Sequence, residues 1–445
     1  IKVGMMKHFS YFFVLILVLL LTACNGFSVD SNSSNSSESN GDNASSEPIE
    51  LNFWTFWGSE ERRTVIEKII KDFNESQDEI IVKHTYVPWS DIFTKNLSAI
   101  AAGDPPDVII NDINSLRVRA SEGQVEPITE YVDDEVQSRF YDQLFDAAVV
   151  DDEIYALPFN TDNSVMFYNV AHLEEAGLST EDLPETWEEV DAYAQALDIQ
   201  NDEGYERIGF YPLIRGSISL WMVNALGENY ISPEGEININ NPEVHSAYEW
   251  VLQSQEKYGK NYLDSVNARF DNAQQDPFMS GEVSILVRNA NYNVQLRNHA
   301  SDLEFVTSPL PQRELGAKPA SIGGGFVAEI PKGASNPEAS YQFIEYITNY
   351  DSQLYWAENN FDLMANEQAS IDAAESTEFN NTDQKVYNTM VDNMENTVLT
   401  LIPLGAPDYG STLHSIFDEI INGSETVEDG IPRAQSEMER MFNNE

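Results

Sequence analysis

Strand and helix patterns alternate over residues 49–110, and this alternation restricts the fold more than any other feature of the chain. Apolar runs predict strands at 49–54, 80–87 and 108–110, and apolar residues at helical spacing predict helices at 60–74 and 90–102. This β-α-β-α-β order is typical of an open, mostly parallel α/β sheet. Ligands bind such sheets at the carboxyl ends of the strands. The loops at 56–59 and 111–114 are therefore the first candidate site.

The rest of the chain is expected to form further α/β units without a fixed repeat. Thr186 and Glu189 have the spacing of a capping box, which predicts a helix over 186–196. The glycine-rich segment 322–326 predicts a break in the chain that is followed by a strand. Two helices, at 411–422 and 428–441, are expected near the end.

The composition limits the number of domains and the kinds of partner. The chain has 445 residues, of which 42% are hydrophobic, so it is long enough for two lobes with separate cores. It carries 75 acidic and 24 basic residues, for a net charge of −51. Such a surface repels nucleic acid and anionic lipid. The scattered acidic residues are typical of a protein that works in a saline or alkaline medium, where salt screens their repulsion.

The first residues have the pattern of a secretory signal. Lys7 and His8 precede the apolar run 9–20, which is too short for a permanent membrane span. The sequence Leu-Thr-Ala-Cys at 21–24 ends in Cys24, the single cysteine of the chain, and resembles the lipobox of bacterial lipoproteins. We therefore expect a signal peptide at 1–23, acylation of Cys24 and a flexible polar linker at 24–48. The alternative is an ordinary signal peptide with an incidental cysteine.

Several segments together resemble the extracellular solute-binding proteins of sugar-importing ABC transporters, which include the maltose- and maltodextrin-binding proteins. No single segment is specific, but their order and spacing extend over residues 50–440. The matching segments are FWTFWG at 53–58, GDPPDV at 103–108, GQVEPI at 123–128, YALP at 155–158, MFYN at 166–169, PETWEE at 184–189, FMSGEV at 278–283 and IPKGA at 330–334.

The resemblance implies a periplasmic-binding-protein-like α/β fold with two α/β lobes and a hinge of crossing segments. The crossings are expected near 159–163, 322–326 and 401–408. Lobe 1 would combine 49–160 with 325–400, and lobe 2 would combine 161–321 with 408–445. The function implied is that of a lipid-anchored receptor on the extracellular face of a bacterial cell membrane. It would capture a neutral oligosaccharide by hinge closure and deliver it to the membrane permease subunits of an ABC importer.

A sugar pocket needs aromatic rings for stacking and planar polar groups for paired hydrogen bonds. Trp57 and Gly58 follow the first strand and are candidates from their position alone. By resemblance, the other expected ligand-binding residues are Asn111, Asp112, Asp162, Trp221, Arg288, Asn289, Asn291, Tyr292, Gly324, Gly325, Phe361 and Tyr409. Tyr292 and Trp221 would act as stacking rings, and Asp162 would accept hydrogen bonds from sugar hydroxyls.

Two other functions stay open at this point. A secreted carbohydrate hydrolase would need two carboxylates at a set separation, and Asp112 with Asp162 could supply them. The same fold could instead bind a polyamine or a peptide. The sequence has no nucleophile-elbow motif and no zinc-ligand spacing. We therefore expect a protein that is not an enzyme and that needs no cofactor or metal. We also expect it to be a monomer.

Overall fold

The computed structural model describes residues 47–202, 204–270, 272 and 275–443. The predicted signal peptide, Cys24 and nearly all of the predicted linker lie outside the described residues. Among the helices that the structure describes, none combines the length and the apolar character needed to cross a bilayer.

The strands differ in length, and the sixth is much the longest. In chain order they are β1 (Ile49–Thr55), β2 (Ile80–Tyr86), β3 (Val108–Asp112), β4 (Val149–Val150), β5 (Glu153–Ile154), β6 (Ala156–Asn169), β7 (Ile199–Asn201), β8 (Gly204–Arg207), β9 (Ile285–Asn289), β10 (Phe305–Ser308), β11 (Ser321–Glu329), β12 (Leu363–Met364) and β13 (Thr397–Leu399).

The described part of the chain also forms α-helices. In chain order they are α1 (Glu60–Ser76), α2 (Trp89–Ala102), α3 (Leu116–Ser121), α4 (Asp134–Gln137), α5 (Asp142–Ala147), α6 (Val170–Ala176), α7 (Trp187–Leu197), α8 (Ile218–Leu226), α9 (Pro242–Tyr258), α10 (Lys260–Arg269), α11 (Tyr292–His299), α12 (Pro337–Ile347), α13 (Tyr350–Asn360), α14 (Glu367–Ala374), α15 (Asn381–Asp392), α16 (Tyr409–Ile421) and α17 (Val427–Phe442). A short 3₁₀ helix covers Asn393–Asn396.

The expected β-α-β-α-β order at the start of the chain is confirmed. Helix α1 buries an apolar face that includes Val65, Ile69 and Phe73. The capping box is also confirmed, because the Thr186 hydroxyl accepts from the Glu189 N–H and the Glu189 carboxylate accepts from the Thr186 N–H. Both features depend on neighbouring residues, which is why the local pattern predicts them well.

The main sheet has the order β10-β6-β11-β3-β1-β2, with β9 and β12 also paired to β6, and β13 to β11. Strand β1 is parallel to β2 and β3, but β11 is antiparallel to β3 and to β6. The expectation of a mostly parallel sheet therefore holds for the first three strands and is wrong for the whole. The fold is a mixed α/β structure of the two-lobe type.

Strand β6 changes partners along its length. Its first half pairs with β11 and β12, and its second half, from Ser164 onward, pairs with β9 and β10. The two apolar ends of the strand, 156–159 and 165–168, are separated by the polar segment 160–164. The strand thus passes between two sets of partners where its side chains become polar.

Strand β11 corrects the expected break at 322–326. The strand is continuous through Gly323, Gly324 and Gly325, which pair with Asn163, Asp162 and Thr161 of β6. Gly323 and Gly325 fit here because the backbone of β6 approaches them closely. A Cβ at Gly325 would lie 2.2 Å from the carbonyl oxygen of Asn160.

Candidate functional site

A cavity of about 410 Å³ lies where the loop after β1 meets the polar middle of β6. Strand β11, the loop after β9 and the segment before β12 complete its wall. The lining residues are Phe56, Trp57, Gly58, Ser59, Arg62, Asn160, Thr161, Asp162, Asn291, Gly325, Phe326 and Asp362. The cavity therefore contains five of the predicted site residues, namely Trp57, Gly58, Asp162, Asn291 and Gly325.

Aromatic rings form one wall of this cavity. Trp57 is 1% exposed and packs between Phe159 and Trp356, with ring centroids 5.0 and 4.3 Å away. Its indole Nε1 has no hydrogen-bond partner among the described residues. The Phe56 ring lies 5.8 Å from the Trp57 ring, and Phe326 packs against Phe56 with a centroid distance of 4.7 Å. A buried donor at an aromatic wall is suited to a ligand with apolar faces and polar edges.

Arg62 and Asp362 form an ion pair in the cavity wall that the sequence did not predict. The guanidinium Nη1 and Nη2 donate to the two oxygens of the Asp362 carboxylate at 2.6 and 2.7 Å. Burial acts to lower the pKa of Arg62, but the Asp362 carboxylate more than offsets this and holds the pKa above its ordinary value. Trp356 Nε1 also donates to Asp362, at 2.9 Å. The pair gives the cavity a fixed and electrically neutral group.

Asp162 lies on the other side, where β6 meets β11. Its Oδ1 accepts a hydrogen bond from the Gly324 N–H at 2.9 Å. Burial raises the pKa of Asp162 above its ordinary value, and the Asp362 and Asp112 carboxylates add to this effect. The Gly324 N–H and the Asn289 side chain act in the opposite direction by hydrogen bonding to the carboxylate. Gly324 and Asn289 therefore support a cavity residue rather than line the cavity.

Amide side chains supply further polar groups. Asn160 Nδ2 donates to Asp362 at 3.4 Å, and Asn291 Nδ2 donates to the same carboxylate at 3.2 Å. The Oδ1 atoms of Asn160 and Asn291 are buried and have no hydrogen-bond partner among the described residues. Two orphaned acceptors and one orphaned donor, Trp57 Nε1, thus belong to residues that line one cavity, which is unusual for buried groups unless a ligand or water pairs with them.

Two predicted residues lie near this region but outside the cavity lining. Asp112 Oδ1 accepts from both the N–H and the hydroxyl of Ser115, each at 2.9 Å, so its carboxylate caps the following turn. The Arg288 guanidinium lies over the ring of Tyr292, 4.7 Å from its centroid.

Asn111, Trp221 and Tyr292 occupy the protein interior, which corrects the expectation that they face a ligand. Asn111 Nδ2 donates to the buried Glu329 at 2.7 Å. Trp221 is fully buried and its Nε1 donates to the Pro212 carbonyl at 2.8 Å. The Tyr292 hydroxyl donates to Asp276 at 2.8 Å. Each of these polar groups is already paired within the protein.

Phe361 and Tyr409 also lie away from the cavity. Phe361 is buried against the rings of Phe379 and Tyr387 and takes a left-handed conformation with φ of 60° at the end of α13. The next residue, Asp362, is the one that lines the cavity. Tyr409 begins α16, and burial raises its pKa to about 12. Phe361 therefore precedes a cavity-lining residue in the chain but does not itself line the cavity.

The cavity is not the largest depression in the described part of the protein. A more open groove of about 1020 Å³ includes Phe73, Arg139, Tyr346 and Tyr350. It contains none of the predicted site residues, and its lining has no orphaned buried polar group among the described residues. The described residues also contain no group of three or more His, Cys, Asp or Glu side chains placed to hold a metal ion. The smaller cavity is therefore the candidate site.

A different reading of the sequence could have found part of the missed lining. Asn160 and Thr161 belong to the polar segment that interrupts an otherwise apolar strand, and such an interruption marks a place where a buried strand meets polar groups. Arg62 and Asp362 had no comparable signal, because their pairing joins residues 300 positions apart.

Comparisons with known proteins give a consistent result. The model of a family described as bacterial extracellular solute-binding protein matches residues 68–379. A binding protein of Brucella abortus is 22% identical over 316 residues, which is 69% of this chain and 74% of that protein. The maltotriose-binding protein of Pyrococcus abyssi is 25% identical over 254 residues, which is 56% of this chain and 52% of that protein. The solved structure of CpMnBP1 with mannotriose bound has a TM-score of 0.72 at 24% identity, and covers 88% of this chain and 100% of its own.

Proposed function

This chain belongs to the family of bacterial extracellular solute-binding proteins, and on that premise we propose that it captures a neutral oligosaccharide for an ABC importer. It is a binding protein rather than an enzyme. The observation that carries the proposal is the cavity at the middle of β6, with its aromatic wall and orphaned amide and indole groups. These are the groups that sugar faces and sugar hydroxyls require.

The charges of the cavity favour an uncharged ligand. Its charged lining residues are Arg62, Asp162 and Asp362, and Arg62 is neutralised by Asp362. An anionic ligand would meet no unpaired cation in the lining and would be repelled by Asp162. A polyamine would find only one carboxylate in the lining that is not already bound to an arginine. The names of the maltotriose-binding and mannotriose-bound relatives support a short neutral glycan.

Capture by lobe closure is part of this proposal, and the two strands that run through the site support it. We place the lobes at 49–160 with 325–400, and at 161–321 with 408–445, so that β6 and β11 cross between them. Asn291 of the second lobe then donates to Asp362 of the first. A ligand that bonds to groups of both lobes at once stabilises the closed state relative to the open one.

The proposed location is the extracellular face of a bacterial cell membrane. The signal pattern at 1–23 and the lipobox-like sequence before Cys24 support a lipid anchor, and the polar linker at 24–48 would hold the receptor away from the membrane. The partners in this proposal are the permease subunits of the importer, and the receptor acts as a monomer. The acidic surface makes nucleic acid an unsuitable partner.

A thermal-shift screen tests the proposed ligand class. The probes are linear malto- and manno-oligosaccharides of two to six units, with spermidine and a short peptide as comparison ligands. A ligand that binds only the folded state raises Tm, and the rise grows with ligand concentration. We expect a rise with at least one oligosaccharide series, no rise with the comparison ligands and no release of reducing ends. A rise with spermidine or the peptide alone would contradict the proposal, and so would hydrolysis.

A further inference from the structure

We propose that Tyr86, Trp89 and Phe93, called here the outer aromatic strip, stack against sugar units that extend beyond the cavity. The inference rests on the proposed function, because it takes the ligand to be an oligosaccharide. It adds a second site outside the cavity and makes a specific prediction about how affinity depends on chain length.

The strip is continuous with the cavity. The Trp89 ring contacts two rings that line the cavity, Phe56 and Phe326, with centroid distances of 4.7 and 5.6 Å. Phe93 packs against Trp89 with a centroid distance of 4.9 Å and is itself partly buried. Aromatic rings therefore connect the cavity wall to the exposed ring of Trp89.

Tyr86 reaches the cavity by a separate contact. A Cβ at Gly58, which lines the cavity, would lie 2.3 Å from Cε2 of the Tyr86 ring. The ring therefore packs directly on the backbone of Gly58. Tyr86 ends β2 and Trp89 begins α2, so both side chains belong to one short segment of the chain. Each of them contacts residues that line the cavity.

Both side chains are exposed to an unusual degree for aromatic residues. Trp89 is 51% exposed and Tyr86 is 47% exposed. Among the large hydrophobic side chains that are exposed in the described residues, three are aromatic, and the third is Tyr350. Two of the three, Trp89 and Tyr86, thus contact residues that line the cavity.

The local charge pattern suits a neutral occupant. Trp89, Phe93 and Leu97 repeat every four residues and share one face of α2. The charged residues Asp91 and Lys95 follow the two rings by two positions, which is about 200° around the helix, and they pair with each other at 3.4 Å. The two charged side chains of α2 are therefore paired with each other and lie away from the face that carries Trp89 and Phe93.

A glycan is a better occupant than a protein partner because of where the strip lies. Trp89 packs on Phe56 and Phe326 of the cavity wall, so a linear oligosaccharide that leaves the cavity on this side would pass over the strip. The cavity volume of about 410 Å³ is near the lower end of the ~300–1,000 Å³ range of ligand pockets, so a long chain needs further surface. Aromatic rings stack on the C–H faces of sugars and leave the hydroxyls in water.

Isothermal titration of the wild type and of Trp89→Ala with the malto- and manno-oligosaccharide series tests the inference. We expect wild-type affinity to rise from two to six units. Trp89→Ala should lower the affinity for the longest bound oligosaccharide by about tenfold and leave the disaccharide within about twofold. Trp89→Phe should keep most of the affinity for long chains, because it keeps a ring at this position.

Tyr350→Ala is the matched control, since Tyr350 is an exposed aromatic residue in the larger groove. It should leave affinity unchanged at every chain length. Thermal unfolding will show whether Trp89→Ala is folded, and Tyr86→Ala carries the same expectation if it is not.

Two results would overturn the inference alone: an unchanged length dependence in Trp89→Ala, or an equal loss of affinity at all lengths. Lost sugar uptake by cells with an unchanged length dependence would identify the strip as a protein contact, which also overturns it. A wild-type protein that binds no oligosaccharide in either series would refute the proposed function itself, and the inference with it.

Discussion

Arg62 and Asp362 are 300 residues apart in the chain, yet they are joined by two hydrogen bonds of 2.6 and 2.7 Å at the wall of the cavity. Arg62 lies in the first turn of α1, and Asp362 follows the last residue of α13 by two positions. Asp362 is 1% exposed and also accepts hydrogen bonds from Trp356, Asn160 and Asn291. This carboxylate therefore orients four side chains that form or support the site.

Asp362→Asn should destabilise the protein, because it removes the buried negative charge that balances Arg62. We expect the free energy of unfolding to fall by about 2–4 kcal/mol. This expected loss is smaller than the largest losses of stability that follow when a buried ion pair is broken. The reason is that the Arg62 side chain is 33% exposed, so water screens part of its charge. Urea unfolding measures the change.

Arg63→Ala is the control for that measurement. Arg63 is the next residue, but its ion pair with Glu67 lies at the surface, so its loss should change stability very little. Equal losses of stability in Asp362→Asn and Arg63→Ala would show that burial of the first pair does not matter.

Trp57→Phe should weaken oligosaccharide binding by about tenfold, because it removes the indole N–H in the cavity wall while keeping an aromatic ring. Trp221→Phe is the matched variant. It breaks the hydrogen bond from Nε1 to the Pro212 carbonyl, so it should lower stability and leave affinity within about twofold. Titration calorimetry and urea unfolding separate the two effects. A larger loss of affinity in Trp221→Phe would restore the expectation that Trp221 contacts the ligand.

Asp162→Asn should raise stability at neutral pH and reduce ligand affinity. Burial raises the pKa of Asp162 from its ordinary 3.8, so the folded state holds this proton more tightly than the unfolded state. The stabilisation by this proton is complete below pH 3.8 and is lost as pH rises through the folded-state pKa. At pH 7 the unfolded state therefore gains from ionising this carboxylate in water, and the variant lacks that destabilising effect.

The stability difference between the wild type and Asp162→Asn, measured as a function of pH, checks that the pKa of Asp162 is raised. The stability advantage of Asp162→Asn should shrink as pH falls toward 3.8. Affinity for the bound oligosaccharide should fall by about 10- to 100-fold in Asp162→Asn, because a charge-assisted hydrogen bond is lost. An advantage that grows on acidification would mean that the pKa is lowered rather than raised.

The local patterns of the sequence predicted the start of the fold well. The apolar spacing in α1 and the Thr186–Glu189 capping box involve residues within a few positions of each other, so their chemistry can be read from the chain. The resemblance to solute-binding proteins then supplied the two-lobe architecture, which the alternation of elements alone did not.

Pairing between distant residues explains what the sequence could not supply. In the sequence, the glycines at 323–325 predict a break in the chain, and only their pairing with β6 makes them part of a strand. Trp57 and Trp221 are both deeply buried, and only one of them lines the cavity. Asp362 has no local signal as a site residue, because Arg62, Asn160 and Asn291 reach it from distant parts of the chain.

Gly325→Ala should be much more damaging than Gly324→Ala, although the two glycines are neighbours on β11. Gly325 has a φ of 149°, and a Cβ there would lie 2.2 Å from the Asn160 carbonyl oxygen, which is backbone and cannot rotate away. We expect a loss of about 2–4 kcal/mol in the free energy of unfolding.

Gly324→Ala is the control. At Gly324 the nearest atoms to a Cβ would be Asn114 Nδ2 at 3.5 Å and Asp162 Oδ1 at 3.6 Å, which are ordinary contacts. Gly324→Ala keeps the N–H that donates to Asp162, so the free energy of unfolding, measured with urea, should fall by less than about 1 kcal/mol. Equal losses in the two variants would show that the close approach of β6 to β11 is not what requires glycine at this crossing.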